Sequence, residues 1–122
     1  MKFVITIPMP PKELSPNGRT HWAKKARLVR AERMRACVLA LSCKHAGYGF
    51  PWSSATVTIE ARFKTVRFQD FDNILASLKP SLDGFQDAGI VTDDNHFEIG
   101  KITRIKDKEN PGITITIEKN ED

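Results

Sequence analysis

The chain is poor in the features that would place it outside an ordinary folded domain. It has only two cysteines, Cys37 and Cys43, in 122 residues. Both fall in one predicted helix, where six residues separate their Cα atoms by roughly 9 Å, too far for a disulfide. A disulfide-stapled secreted scaffold is therefore excluded, and the pair reads as reduced, half-buried thiols of a cytoplasmic protein. No long apolar run occurs. The opening "MKFVITIPMPP" is too short for a signal sequence or a membrane span, so no membrane partner is expected. Internal repeats, low-complexity tracts and long linkers are missing too, which leaves a single domain over 1–122. Acid is scarce in one place: between His21 and Lys44, Glu32 alone faces Lys24, Lys25, Arg27, Arg30, Arg33, Arg35 and Lys44. The formal net charge of +4 is modest, and its unevenness favours a polyanionic partner.

What is present has a clear order. Lys2 to Ile7 is a short β-branched strand closed by prolines. A Pro/Asn/Gly loop follows. From His21 to about His45 no Pro or Gly interrupts a run of helix formers, which predicts a long helix with a broad apolar stripe of Trp22, Ala26, Val29, Met34, Cys37, Val38 and Leu41. "ATVTIEARF" alternates strictly, with Ala55, Val57, Ile59, Ala61 and Phe63 on one face, and "GITITIEK" does the same through Ile113, Ile115 and Ile117. Between them come a second helix, a turn at Gly89, a less regular strand from Ile99 to Ile105, and the turn "KDKENPG". The order β-α-β-α-β-β, with one polar face per strand, predicts an α/β (α+β) fold: a mixed four-stranded sheet with helices mainly on one face.

The chemistry concentrates in "DFDNILASLKPSLDG", Asp70 to Gly84. Asp70 and Asp72 stand where the sheet segment ends and the helix begins, with Asp72-Asn73 suited to cap it. Lys79 is seven residues beyond Asp72 and returns within roughly 20° to the same face; Asp83 follows one turn later. Pro80 is expected to kink the helix. Asp93 and Asp94 come after the Gly89 turn. Carboxylates gathered at one point require a cation, and hard oxygen ligands suit Mg²⁺, with Mn²⁺ as a substitute. A lysine beside them stabilises charge on a phosphate. Together these are parts of a metal-assisted phosphodiester hydrolase. Each piece has an ordinary explanation as well: a helix cap beside a solvated acid, a surface ion pair, a turn.

"DFDNILASLKPSLDGFQDAGIVTDD", with "PPKELSPNGRTHW" upstream, resembles the RusA family of Holliday junction resolvases, in the form common in prophages. The resemblance spans about Pro8 to Ile117. It implies a homodimer that cuts four-way DNA junctions by paired nicks with Mg²⁺ and no organic cofactor. It places the essential aspartates on Asp70, Asp72 and Asp94, with Asp93 beside the last, and the catalytic lysine on Lys79. In the best-known branch that lysine comes one turn earlier, where this chain has Ala76, a displacement of roughly 4.5 Å along the axis.

Phosphate contacts are expected from Asn17, Arg19 and His21 in the first loop, from Lys24, Lys25 and Arg27 just after it, and from Arg62, Lys64 and Arg67 leading into the acid cluster. Of the two phenylalanines bracketing the acids, Phe71 is expected in the core and Phe68 at the surface as a candidate DNA wedge. His96 is a candidate ligand or proton shuttle, His45 a helix-terminal cation, and Trp22 and Trp52 are expected packing anchors. Two other function classes fit the same residues: a branched-DNA binding protein without cleavage, and a non-nucleolytic protein with an acidic cation site.

Overall fold

Strict alternation produces the sheet. In the computed structural model, which describes residues 1–15, 21–44, 46–92 and 97–121, the strands are β1 (Lys2–Ile7), β2 (Ala55–Phe63), β3 (Phe97–Lys106) and β4 (Gly112–Lys119). They form one mixed sheet in the order β1-β4-β2-β3. β4 is antiparallel to both β1 and β2, whereas β2 and β3 run parallel. Phe3, Ile5, Ile7, Val57, Ile59, Ile113, Ile115 and Ile117 lie on one face and are buried. Two helices, α1 (Trp22–Cys43) and α2 (Phe71–Asp87), contribute to the same core cluster through Ala36, Ala40, Ile74, Leu78, Leu82 and Phe85. The expected fold class, mixed sheet and element order are all present.

β2, α2 and β3 form a parallel crossover, as two parallel neighbours require. The turn after β3 is not a hairpin. β3 and β4 flank β2, so residues 107–111 must pass the end of β2. The Asp107 amide donates to the Phe63 carbonyl at 2.8 Å on the way.

α2 continues through Pro80, which is buried, and ends at a glycine termination. Gly89 has φ 83°, a left-handed conformation that only glycine takes without strain. The loop before β2 is tied to this end of α2. Trp52 is 1% exposed, its indole donates to the Tyr48 carbonyl at 2.7 Å, and its backbone exchanges hydrogen bonds with Ile90 and Thr92.

α1 departs from its expected stripe. Only Ala36 and Ala40 are fully buried, while Trp22, Met34, Val38 and Leu41 are exposed. The cause is the crossing with α2. A Cβ on Gly84 would meet the Arg33 carbonyl oxygen, the Ala36 Cβ and the Cys37 amide. At that separation only small residues fit between the helices, so the alanine face turns inward and the larger apolar side chains turn out. Arg33 clamps the crossing through Nε and a second guanidinium nitrogen to the two Asp87 carboxylate oxygens, at 2.6 and 2.8 Å. That hydrogen-bonded guanidinium holds the Asp87 carboxyl below its ordinary value. Cys37 and Cys43 are free and half-buried, and no helix among the described residues is long and apolar enough to cross a membrane.

Candidate active site

The site begins where β2 runs out. Residues 64–70 carry the chain from Phe63 to α2, folded on themselves by the Phe68 amide donating to the Val66 carbonyl at 3.0 Å and the Arg67 amide donating to Thr65 Oγ at 3.3 Å. Asp70, with φ −63° and ψ 152°, is the N-cap of α2, and its carbonyl accepts from the Ile74 amide at 3.0 Å. The cap therefore falls two residues before the expected Asp72-Asn73, because Phe71 is already helical. Asp72 lies in the first turn. Asp70 makes no side-chain capping hydrogen bond, unlike most N-cap aspartates. Both carboxylates are exposed, at the end of the helix where backbone N–H groups favour negative charge.

Lys79 is on α2, seven residues on, about 10.5 Å further along the axis. It is exposed and pairs with Asp83 at 3.6 Å, as the spacing predicts. The two share a cavity of about 200 Å³ with Leu75, Leu82, Phe97 and Ile99. Asp93, Asp94 and His96, like His45, lie outside the described residues. Among the described residues no group of three or more His, Cys, Asp or Glu side chains comes together.

The basic residues divide by place. Lys64 and Arg67 are exposed on the segment that ends in Asp70. Arg62 is not a surface phosphate binder: it is 6% exposed. Its Nε donates to the Asn110 carbonyl at 2.9 Å, and it hydrogen-bonds Thr114 Oγ and faces Glu60 at 3.5 Å. The connection that crosses the end of β2 covers it. Lys24, Lys25 and Arg27 lie in the first two turns of α1, a helix that meets α2 around Gly84 and Asp87, at the far end from Asp70. His21 caps α1, its Nδ1 accepting from the Ala23 amide at 3.2 Å. Asn17 and Arg19 lie outside the described residues.

The aromatic expectations are reversed. Phe68 is half-buried against Phe63, ring centroids 5.3 Å apart, and Phe71 is 45% exposed. Trp22 is 77% exposed beside the His21 ring, so only Trp52 is a packing anchor.

One residue beside the acids was not expected. The Arg104 guanidinium carbon lies 3.9 Å from the Phe71 ring centroid and 5.9 Å from that of Phe68, and one nitrogen donates to the Gln69 carbonyl at 3.1 Å. Strict alternation from Ile99 would put Ile105 on the helix side of β3 and Arg104 on the other. An irregularity between Val57 and Ile59 shifts the register, so that Ile102 pairs with Ile59 and Arg104 with Ala61. The inward face passes to the arginine.

No family model matches the chain. An uncharacterized protein of Xylella fastidiosa (strain Temecula1 / ATCC 700964) is 37% identical over 101 residues, a match that covers 76% of this chain. The chain spans only about 61% of that relative's length.

Proposed function

We propose that this chain is an Mg²⁺-dependent, structure-selective endonuclease that resolves four-way DNA junctions by paired nicks in recombination and repair, acting as a cytoplasmic homodimer. The observation that carries the proposal is the pair Asp70 and Asp72. Both are exposed at one helix start, and the Asp70 carboxylate is not engaged in capping. The RusA-like motifs around the pair support the same conclusion.

The donor set suits a hard cation. Asp70 and Asp72 offer carboxylate oxygens only, the chemistry of Mg²⁺ or Mn²⁺ and not of zinc. Their two negative charges exceed the partial positive charge of the helix end. Asp70 and Asp72 would hold the ion, with Asp94 and Asp93 the proposed remaining ligands. When bound, it supplies an acidified water and neutralises charge on the scissile phosphate.

The chain's own groups supply the rest. Lys64 and Arg67 guide the phosphate backbone toward Asp70. Lys79 contributes positive charge on the same helix, and Asp83, one turn on, orients its ammonium. A two-fold dimer sets one such site on each of two opposed strands of a two-fold-symmetric junction.

The test is incubation of the full chain with a four-way junction and with linear duplex of the same sequence, in Mg²⁺ and in EDTA, beside Asp72→Asn. Nicking confined to junctions in Mg²⁺, and lost in Asp72→Asn, is the expected result. Junction binding without nicking would replace the proposal with that of a binding protein. Neither activity, or an unimpaired Asp72→Asn, would remove it.

A further inference from the structure

An N-cap aspartate without a capping bond leaves a helix end that frays, because its first N–H groups lack a partner from the cap. A metal ligand on such an end needs another restraint. Arg104 reaches three of the four residues from 68 to 71: the Phe68 ring, the Gln69 carbonyl and the Phe71 ring. Asp70 is the one of the four to which it makes no hydrogen bond or ring contact among those described. Among the described residues no ion pair joins Arg104 to Asp70 or Asp72.

We infer that Arg104 is a positioning residue that braces the start of α2 and so presents the Asp70 carboxylate, uncompensated, to a divalent cation. The inference rests on the nuclease proposal for the use of Asp70. Its geometry suits arginine better than lysine. The planar guanidinium covers the Phe71 ring through Cζ while a separate nitrogen bonds the Gln69 carbonyl, whereas a lysine has one nitrogen to share between the two places and no plane to stack. The brace also ties α2 to the edge strand β3, so the aspartate is referenced to the sheet and not only to its own loop.

Hydrogen exchange on the full chain tests the brace. The Ile74 amide, bonded to the Asp70 carbonyl, reports on the cap itself. In Arg104→Ala its protection falls about fivefold or more, as for a locally loosened segment, while amides in β4 are unchanged. Mn²⁺ affinity measured by calorimetry falls by about tenfold, as when a ligand-orienting group is removed. Junction affinity in EDTA stays within about twofold of wild type, since no phosphate contact is lost. Arg104→Lys keeps the charge and shows the same loss of Ile74 protection.

Unchanged Ile74 exchange in Arg104→Ala overturns the inference. So does a fall in EDTA junction affinity with Mn²⁺ affinity intact, which would make Arg104 a phosphate contact. A wild-type protein that takes up no Mn²⁺ removes the nuclease proposal instead; the Ile74 amide still decides for or against the brace.

Discussion

A Cβ placed on Gly84 would stand 2.2 Å from the carbonyl oxygen of Arg33. The neighbouring atom is helix backbone and cannot rotate away, so the two helices must separate or tilt. Gly84→Ala gains helix propensity of about 1 kcal/mol, yet the overpacking outweighs it, with a net loss of about 1–3 kcal/mol. Urea denaturation measures this. A midpoint equal to or above wild type would show that the crossing is looser than described.

Arg62 and the pair Lys64 and Arg67 are adjacent in sequence and opposite in role. Arg62→Ala strands the Asn110 carbonyl and Thr114 hydroxyl and is expected to lower stability by about 2–3 kcal/mol. Its junction binding, measured where the variant is folded, keeps the wild-type salt dependence. Lys64→Glu with Arg67→Glu leaves the urea midpoint near wild type, weakens junction binding, and reduces the slope of log affinity against log salt by about 0.9 per lost phosphate contact. Equal slopes in the two experiments would undo this division.

Lys79→Ala separates catalysis from folding. An exposed i,i+4 ion pair contributes about 0.3–0.5 kcal/mol, so the thermal midpoint hardly moves. Junction cleavage in Mg²⁺ is expected to fall about 10²-fold, comparable to losing one charge-stabilising group at a reacting centre, with binding retained. A rate close to wild type in single-turnover assays would remove Lys79 from the chemistry.

Arg33 holds the Asp87 carboxyl below its ordinary value of 3.8. A carboxyl depressed by folding contributes stability above its unfolded value and loses it as pH falls through the lowered folded one. Asp87→Asn is therefore expected to be less stable than wild type at neutral pH, by no more than about 1 kcal/mol because the pair is partly exposed. The gap narrows once pH drops below 3.8. A difference that persists unchanged in acid would show that packing, and not charge, accounts for it.

The strands β2 and β4 were legible because each buries one continuous apolar face, and period-two alternation writes that face directly into the residues. α1 was not. Its stripe of Met34, Val38 and Leu41 is larger than the alanines that are buried, and hydrophobicity ranks them first. What decided the matter was Gly84, 43 to 50 residues further along the chain, which sets how closely the helices approach. β3 misled for a local reason. One register shift opposite Val57 to Ile59 exchanges its faces, and the signal for it in "EIGKITRIK" is Gly100, an isolated strand glycine of the kind that marks a bulge. The same shift brought Arg104 to the acids. The cap at Asp70 was missed by two residues because Asp and Asn are both good caps, and sequence alone does not say which of them begins the turn. Asp72, Lys79 and Asp83 were related by helical spacing, and they lie on α2 as that spacing requires, with Asp70 as its N-cap.

β4 has a wider consequence through its place between β1 and β2. Among the described residues β1 pairs in the sheet with β4 alone, Lys2 opposite Glu118. During synthesis β1 must wait, unpaired in the sheet, until β4 has been made. Of the sheet, only the β2-α2-β3 unit can close earlier. Such long-range closure slows folding relative to a protein of the same size built from local contacts, and it makes the final strand the keystone on which the whole sheet locks.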